Sequence, residues 1–253
     1  MKFVKMLEAV PAPGHIHLYW LGQAGFLIKN SIGKVMLIDA YLSDYVEKTD
    51  GNRRLMMAVA EPEELHPNVI LASHEHADHL DMDSLPALMA DSAHLYCCKA
   101  SYRICMEAGF DPAQVTGMQI GDKVQQDGFS VEAVWADHGD AAPDALGFWI
   151  ETEGVRIYFT GDTSYQSRRM QPVTNREMDL LIAPINGEFG NMNERDAAML
   201  AQQAQPRLTI PCHFWTFAHH HGDPGHFQDA MRAIAPEVPV YTMCQGERLT
   251  YPR

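Results

Sequence analysis

The sequence predicts an α/β protein in which β-sheets carry helices on their outer faces, and three observations lead to that fold class. Short apolar runs rich in β-branched residues recur along the chain, and their length and flanking turn residues favour strands over helices. Patterns typical of helices fall between the later strands. The first part of the chain is therefore mostly β, and strands alternate with helices after it, which favours sheets covered by helices.

The predicted elements follow from these runs in chain order. Eleven strands are predicted, over 15–22, 25–30, 34–40, 68–73, 94–98, 129–136, 146–152, 155–161, 180–185, 207–212 and 238–244. Helices are predicted over 82–90, 101–109, 193–204 and 224–235. Asn193 resembles an N-cap with Asp196 in an acidic first turn, and residues 153–154 suggest a hairpin turn. No repeat or linker interrupts the series, so one domain over 1–253 is the simplest interpretation.

Composition limits the classes of partner. The net charge is −14 and no run of Lys and Arg occurs, so long nucleic acid is a poor partner. No stretch of about 18 apolar residues predicts a membrane span, and the first twenty residues show no signal-peptide pattern. The five cysteines are odd in number and lack C-x-x-C spacing, which indicates reduced thiols in a cytoplasmic protein. The composition is compatible with a homo-oligomer.

The stretch 73–81, SHEHADHLD, concentrates three histidines around one aspartate. His74, His76 and His79 surround Asp78, and imidazole nitrogens and carboxylates are the usual non-thiolate ligands of divalent ions. The alternative is a polar loop that caps a helix starting near Leu80. Three clustered imidazoles contribute little to a cap, so the pattern favours a metal site.

Further candidate donors follow predicted strands. His74, His138, Asp162 and His213 each come after a strand, where a rigid sheet meets solvent and can position a site. The count of donors exceeds the needs of one four-coordinate ion and suits two ions with a bridging carboxylate. The seven donors are His74, His76, Asp78, His79, His138, Asp162 and His213.

These motifs resemble the metallo-β-lactamase superfamily over nearly the whole chain. The matches are S-H-E-H-A-D-H at 73–79, His138, T-G-D-T at 160–163, P-C-H at 211–213, and Asp39 in LIDA. The resemblance implies a four-layer αββα sandwich with a dinuclear site at one edge of the two sheets. By position it assigns the first ion to His74, His76 and His138, the second to Asp78, His79 and His213, and the bridge to Asp162. Asp39 is expected to hydrogen-bond a ligand, with a plain turn residue as the alternative.

Within the superfamily, the chain is similar to L-ascorbate-6-phosphate lactonases. The similarity rests on WLGQAGFLIK at 20–29, TGDTSYQSRR at 160–169 and the span 187–214. His138 departs from that family and matches simpler metal-dependent hydrolases of the superfamily. The shared chemistry is a hydroxide activated by two divalent ions. Asp78 is expected to be catalytic, because it would bind the second ion and orient the hydroxide. Zn or Mn is expected, with Fe also open.

The substrate must be inferred from the residues around the site. Tyr165, Arg168, Arg169, His219 and His220 are the candidate substrate-binding residues. An exposed helix face is nevertheless the favoured interpretation of the two arginines and a solvated loop that of the histidine triplet 219–221, with substrate binding as the alternative. The mixture predicts a small, anionic lactone or ester, with a sugar-acid phosphate lactone favoured by the family likeness. The remaining histidines are interpreted as structural: His15, His17, His66, His94 and His226.

Three other functions compete with lactone hydrolysis. A small-molecule phosphodiesterase would use the same metals and is the main alternative. A di-iron redox enzyme would carry a carboxylate where this chain has His76, so redox chemistry is disfavoured. A non-catalytic metal-binding protein would need no open coordination position and is the least favoured.

Overall fold

The structure, a computed structural model, describes residues 2–253. The strands are β1 (Ile16–Gly22), β2 (Gly25–Lys29), β3 (Val35–Ile38), β4 (Val69–Ala72), β5 (His94–Cys98), β6 (Val115–Met118), β7 (Lys123–Gln126), β8 (Phe129–Trp135), β9 (Leu146–Thr152), β10 (Val155–Phe159), β11 (Leu180–Pro184), β12 (Leu208–Cys212) and β13 (Arg248–Tyr251). The helices are α1 (Lys2–Leu7), α2 (Tyr45–Asp50), α3 (Leu85–Leu88), α4 (Lys99–Glu107), α5 (Ser167–Thr174), α6 (Glu194–Ala204) and α7 (Pro224–Ile234).

Two mixed sheets form the centre of the molecule. The first has the strand order β13-β1-β2-β3-β4-β5-β6, and the second has the order β12-β11-β10-β9-β8-β7. Hairpin neighbours pair antiparallel, whereas β3 to β6 and β10 to β12 pair parallel. In the parallel parts, successive carboxyl ends lie at the same edge of a sheet, which places the loops that follow them side by side.

The central strands of the first sheet are buried on both faces. In β1, Leu18 and Trp20 pack toward the second sheet, while Tyr19 and Leu21 join a separate cluster under α1, α3 and α4. Met170, Leu200 and Phe227 are among the residues through which α5, α6 and α7 pack against the second sheet. The chain therefore forms four layers, helix–sheet–sheet–helix, and the predicted αββα class is confirmed.

Local predictions made from turn and cap residues agree with the structure. Glu153 and Gly154 form the two-residue turn between β9 and β10, with φ values of +55° and +77°. Asn193 caps α6, because its Oδ1 accepts hydrogen bonds from the backbone nitrogens of Arg195 at 3.0 Å and Asp196 at 2.9 Å.

The predicted strand 238–244 is wrong. Only Val240 forms a bridge there, parallel to Thr209 of β12, and Pro239 has no N–H to extend the ladder. The strands that the sequence missed, β6, β7 and β13, lie at sheet edges, where a face exposed to solvent tolerates polar residues. The predicted helix over 82–90 shrinks to α3, and α4 begins at Lys99, two residues before the predicted start. Helices α1 and α2 were not predicted, and α5 was anticipated only as the exposed helix face that carries Arg168 and Arg169.

None of the helices between Lys2 and Arg253 has the length and apolar character needed to cross a bilayer.

Candidate metal centre

The structure brings all seven predicted donor side chains together at one edge of the two sheets. They follow the carboxyl ends of β4, β8, β10 and β12. Their ligand atoms form three overlapping groups, and within each group these atoms lie within 4.8 Å of one another. The groups are His74 with His76 and His138, His74 with His79 and Asp162, and Asp78 with His79 and His213.

The first group contains only imidazoles. Nδ1 of His76 lies 2.9 Å from Nε2 of His74 and 3.2 Å from Nε2 of His138. His74 and His138 are buried, and His76 reaches the cavity above them. Burial, and then the neighbouring His79, lower the pKa of His74 well below its usual range. His74 is therefore neutral, which is the form of histidine that binds a metal.

The second group combines imidazoles with carboxylates. Nε2 of His79 lies 3.5 Å from Oδ2 of Asp78 and 3.5 Å from Oδ2 of Asp162. Nε2 of His213 lies 3.5 Å from Oδ2 of Asp78 and 3.1 Å from Oδ2 of Asp162. The same oxygen of Asp162 is 3.8 Å from Nε2 of His138 in the first group. Asp162 thus stands between the two groups.

The carboxylates of the second group carry negative charge that a bound cation would neutralise. Burial opposes charge on His79, but the carboxylates of Asp162, Asp78 and Asp39 outweigh it and raise the pKa of His79 well above its usual value. Burial likewise opposes charge on His213, and Asp162 and Asp78 raise its pKa to about 9. Several buried carboxylates around these rings must be neutralised by protons or by metal ions.

Three buried atoms of the donor residues have no hydrogen-bond partner: Nε2 of His79, Nδ1 of His138 and Oδ1 of Asp162. Such orphaned atoms are costly in an interior unless a ligand satisfies them. All donors are nitrogen or oxygen, and atoms about 3.1–3.8 Å apart suit ligands that share one ion with bonds near 2.1 Å. The residues therefore fit divalent metal ions.

Asp39 lies behind the site and orients His79. It accepts hydrogen bonds from the backbone nitrogen of Ser73 at 2.7 Å and from Oγ of Ser73 at 2.6 Å. Its Oδ2 is also 2.7 Å from Nδ1 of His79. This contact places the proton of His79 on Nδ1 and leaves Nε2 to face Asp78 and Asp162. The predicted contact between Asp39 and a donor residue is present.

Sequence reasoning missed two amide side chains in the site. Nδ2 of Asn191 donates to Oδ2 of Asp162 at 2.7 Å and lies 3.2 Å from Oδ1 of Asn186. Nε2 of Gln23 lies 2.6 Å from Oδ2 of Asp78. Gln23 and Asn191 fall in two of the segments that resemble lactonases, but no local pattern distinguishes them from ordinary turn residues.

The candidate site opens into a cavity of about 570 Å³. His76, Asp78, His138, Asp162 and His213 lie on its inner side. Aromatic and imidazole rings form much of the remaining wall: Tyr45, Phe189, Phe217, His219 and His220. Two further carboxylates, of Asp50 and Glu75, line it, and the described residues around it include no Lys or Arg.

Three of the predicted substrate-binding residues lie outside this cavity. Tyr165 packs against the core, and its hydroxyl donates to Oε1 of Gln203 at 2.8 Å. Arg168 and Arg169 are exposed on α5. The predicted anion clamp is therefore not at the site, because α5 lies on the outer face of the second sheet. The interpretation of these arginines as an exposed helix face is confirmed.

The histidine triplet does not form the solvated loop that the sequence favoured. His220 is only 7% exposed, and its ring stacks on His213 with centroids 4.7 Å apart. Burial and the neighbouring His213 lower the pKa of His220 to about 3. His219 also lines the cavity, whereas the side chain of His221 is largely exposed. The five histidines interpreted as structural do not line the cavity.

Comparisons with known proteins identify the family. A family model described as "Beta-lactamase superfamily domain" matches residues 17–213. A UPF0173 metal-dependent hydrolase of Deinococcus radiodurans is 31% identical over 231 residues, 87% of this chain and 93% of the relative. The chain belongs to the metallo-β-lactamase superfamily, among its UPF0173 metal-dependent hydrolases. A UPF0173 metal-dependent hydrolase of Archaeoglobus fulgidus is 29% identical over 238 residues, 90% of this chain and 96% of the relative.

Several solved structures share this fold. Igni18, a metallo hydrolase from Ignicoccus hospitalis, has a TM-score of 0.76 at 22% identity and covers 94% of this chain and 99% of its own. An isothiocyanate hydrolase from Delia radicum gut bacteria has a TM-score of 0.75 at 16% identity, with 92% and 98% covered. CmlA, a diiron β-hydroxylase from Streptomyces venezuelae, has a TM-score of 0.70 at 15% identity, with 95% and 54% covered. The UPF0173 relatives show that the protein is a hydrolase. The fold by itself would not, because it also occurs in proteins that catalyse other reactions.

Proposed function

We propose that this metal-dependent hydrolase uses a dinuclear metal centre to cleave a small lactone or ester that carries no phosphate group. One observation carries the proposal: two groups of donors meet at Asp162, at the base of a cavity whose described lining holds no Lys or Arg. Seven donors exceed what one four-coordinate ion needs, and the shared carboxylate supports two ions.

Each of the two groups of residues would hold one metal ion. His74, His76 and His138 would hold one ion, and Asp78, His79 and His213 would hold the other, with Asp162 shared. When bound, such ions supply a water of lowered pKa and polarise the bond to be cleaved. Asp78 both belongs to the second group and lines the cavity, so its carboxylate is placed to orient the attacking water and accept its proton.

Neighbouring side chains keep this arrangement rigid. Asn191 donates to the shared Asp162, and Asp39 holds the ring of His79. Preorganised groups lower the cost of reorganisation during the reaction. The aromatic wall formed by Phe189 and Phe217 offers contact to an apolar ring of a substrate.

The walls favour an unphosphorylated substrate. The expectation of an anionic substrate depended on Arg168 and Arg169, which lie outside the cavity, and the phosphate itself was favoured only by the family likeness. Asp50 and Glu75 add negative charge to the lining, so a distal phosphate would be repelled and unpaired. A lactone or ester oxygen can still be drawn to the metal ions, because it lies at the reacting end of the substrate.

A substrate panel tests this proposal. Turnover of unphosphorylated lactones, their phosphorylated counterparts, bis-p-nitrophenyl phosphate and an aryl isothiocyanate would be compared with added Mn²⁺ or Zn²⁺. The isothiocyanate is included because one neighbour in fold hydrolyses that class. We expect the unphosphorylated lactone to be cleaved with the highest kcat/KM. Faster cleavage of the phosphodiester, with no lactone activity under either metal, would assign the protein to the phosphodiesterase alternative.

Two variants separate the site from its surroundings. Asp162→Asn is expected to reduce lactone turnover to background while the fold is retained, because the shared negative charge is lost. Arg168→Ala, on the exposed face of α5, is expected to leave KM for phosphorylated and unphosphorylated substrates unchanged. A selective rise in KM for the phosphorylated substrate in Arg168→Ala would show that Arg168 binds the phosphate group, as the anion-clamp prediction states.

A further inference from the structure

Gln23 occupies an unusual position in the turn between β1 and β2. It is 1% exposed, and its φ is +53°, in the left-handed region that a non-glycine residue rarely adopts. Gly22 precedes it and Gly25 opens the next strand, so glycine is already used in this turn. A strained, buried glutamine between such neighbours indicates that the side chain itself has a role.

The backbone of Gln23 is tied to the loop that carries His213. Its N–H donates to Oγ1 of Thr216 at 3.1 Å, and its carbonyl accepts from the backbone nitrogen of His213 at 2.9 Å. The same carbonyl accepts from Nε1 of Trp20 at 3.0 Å. These bonds set the distance between Gln23 and the second donor group, so the reach of the side chain is fixed by the fold.

The carboxamide nitrogen of Gln23 lies close to three polar atoms of the site. Its Nε2 is 2.6 Å from Oδ2 of Asp78 and 3.1 Å from Nε2 of His213. It is also 3.1 Å from Nδ1 of His220. The amide nitrogen has only two hydrogens, so it cannot form good hydrogen bonds with all three neighbours. The other end of the amide, Oε1, is buried and has no hydrogen-bond partner.

A half-turn of the amide exchanges its two ends at little cost in shape, because the terminal torsion of glutamine is broad and roughly two-fold. In the present structure the amide nitrogen faces Asp78 as a donor. With a cation between Asp78 and His213, the amide hydrogens would be repelled and the carbonyl oxygen attracted. The exchange would also relieve the unpartnered Oε1.

We propose that Oε1 of Gln23 is a further ligand of the second metal site, beside Asp78, His79 and His213. The inference rests on the proposed dinuclear function and deepens it, because it bears on which metal the site selects. A neutral amide oxygen is a hard ligand that suits Mn²⁺, and an added ligand moves the site away from the four-coordinate geometry typical of Zn²⁺. Gln23 therefore shifts the preference of this site toward Mn²⁺.

Three substitutions test the assignment by metal binding, without a substrate. Asn tolerates a positive φ, so Gln23→Asn keeps the turn and withdraws the amide by one methylene. Gln23→Glu places a charged oxygen at the same reach. Gln202→Leu, on the exposed face of α6, is the control. The dissociation constants of the second Mn²⁺ and Zn²⁺ ion would be measured by competition with a chromogenic chelator, and folding by circular dichroism.

We expect Gln23→Asn to lower the affinity for the second Mn²⁺ ion by about tenfold or more and the affinity for the second Zn²⁺ ion by less. Gln23→Glu is expected to restore or exceed the original affinity. If Gln23 only donated a hydrogen bond to Asp78, Gln23→Glu would oppose two carboxylates and weaken binding at least as much as Gln23→Asn, and the ligand assignment would be overturned. Two ions in the parent protein with unchanged affinity in Gln23→Asn would overturn this inference alone. A single ion in the parent protein at saturating metal would overturn the dinuclear function as well.

Discussion

Nδ1 of His79 is 2.7 Å from Oδ2 of Asp39, and both side chains are fully buried. Asp39 also accepts two hydrogen bonds from Ser73, the residue that precedes the first donor, His74. One carboxylate therefore fixes the start of the donor loop and the ring of His79 inside it. The metal centre depends on a residue that does not itself face the cavity.

This relationship predicts the effect of Asp39→Asn. The amide group can present its NH₂ to Nδ1 of His79 and so favour the tautomer with its proton on Nε2, where a metal would bind. We expect the affinity for the second metal ion to fall by about 10- to 100-fold. Chelator competition measures it, and Asp44→Asn, at an exposed position five residues away, is the matched control. Equal affinities in the two variants would contradict the role of Asp39.

Asp81 ends the SHEHADHLD stretch but has a structural role. Its buried carboxylate accepts from the backbone nitrogens of Leu42 and Ser43, both at 2.9 Å, and from Oγ of Ser84 at 2.6 Å. Asp81→Ala leaves these donors unpaired, so the free energy of unfolding should fall by about 2–4 kcal/mol. Urea denaturation measures this, with the exposed Asp83→Ala expected to cost no more than about 0.5 kcal/mol. A change below 1 kcal/mol in Asp81→Ala would refute the structural role.

Replacing Phe189 tests whether the aromatic wall of the cavity contacts the substrate. It is 61% exposed, so its removal should leave the fold intact, and its ring packs edge-on against His219 with centroids 5.5 Å apart. Phe189→Ala is expected to raise KM for a lactone with an apolar substituent by about 3- to 10-fold with little change in kcat, because apolar contact is lost equally before and during the reaction. Ile120→Ala, 56% exposed and outside the cavity, is the control. An unchanged KM would remove Phe189 from the substrate contacts.

The pair between Arg176 and Glu132 predicts a dependence of stability on pH. Arg176 donates to both carboxylate oxygens of Glu132, at 2.8 and 2.9 Å, and lowers the pKa of Glu132 below its ordinary value of 4.5. A lowered folded-state pKa stabilises the protein above the unfolded-state value, and this stability is lost as pH falls through the folded-state value. Because Arg176 is one-third exposed, the contribution is about 0.5–1 kcal/mol.

Glu132→Gln tests the pair. The variant should be less stable than the parent protein at pH 7, and the difference should shrink below pH 4.5. Unfolding in urea at several pH values measures both. A difference that stays constant from pH 7 to pH 3 would show that the loss comes from packing of the side chain rather than from its charge.

Much of the fold and of the candidate site could be predicted because their signals are local. Central strands such as β4 and β11 are apolar runs, since both of their faces are buried. The edge strands β7 and β13 gave no such signal, because their exposed positions hold polar residues. The donors from His74 to His79 occupy one short loop, so their spacing alone indicates a metal site.

By itself, the sequence determined the class of the protein and the types of donor atom, because the order of apolar runs and the short donor motif are properties of neighbouring residues. Only the tertiary structure decided which side chains share the cavity. Arg168 and Arg169 follow Asp162 closely in sequence, yet α5 carries them to the outer face of the second sheet. Gln23 is 139 residues from Asp162 in the chain, yet its amide lies beside Asp78 and His213. The reason is that the pairing of strands brings turns that are distant in sequence to one edge of the sheets. The direction that the backbone takes after each strand then decides whether the side chains that follow reach the site.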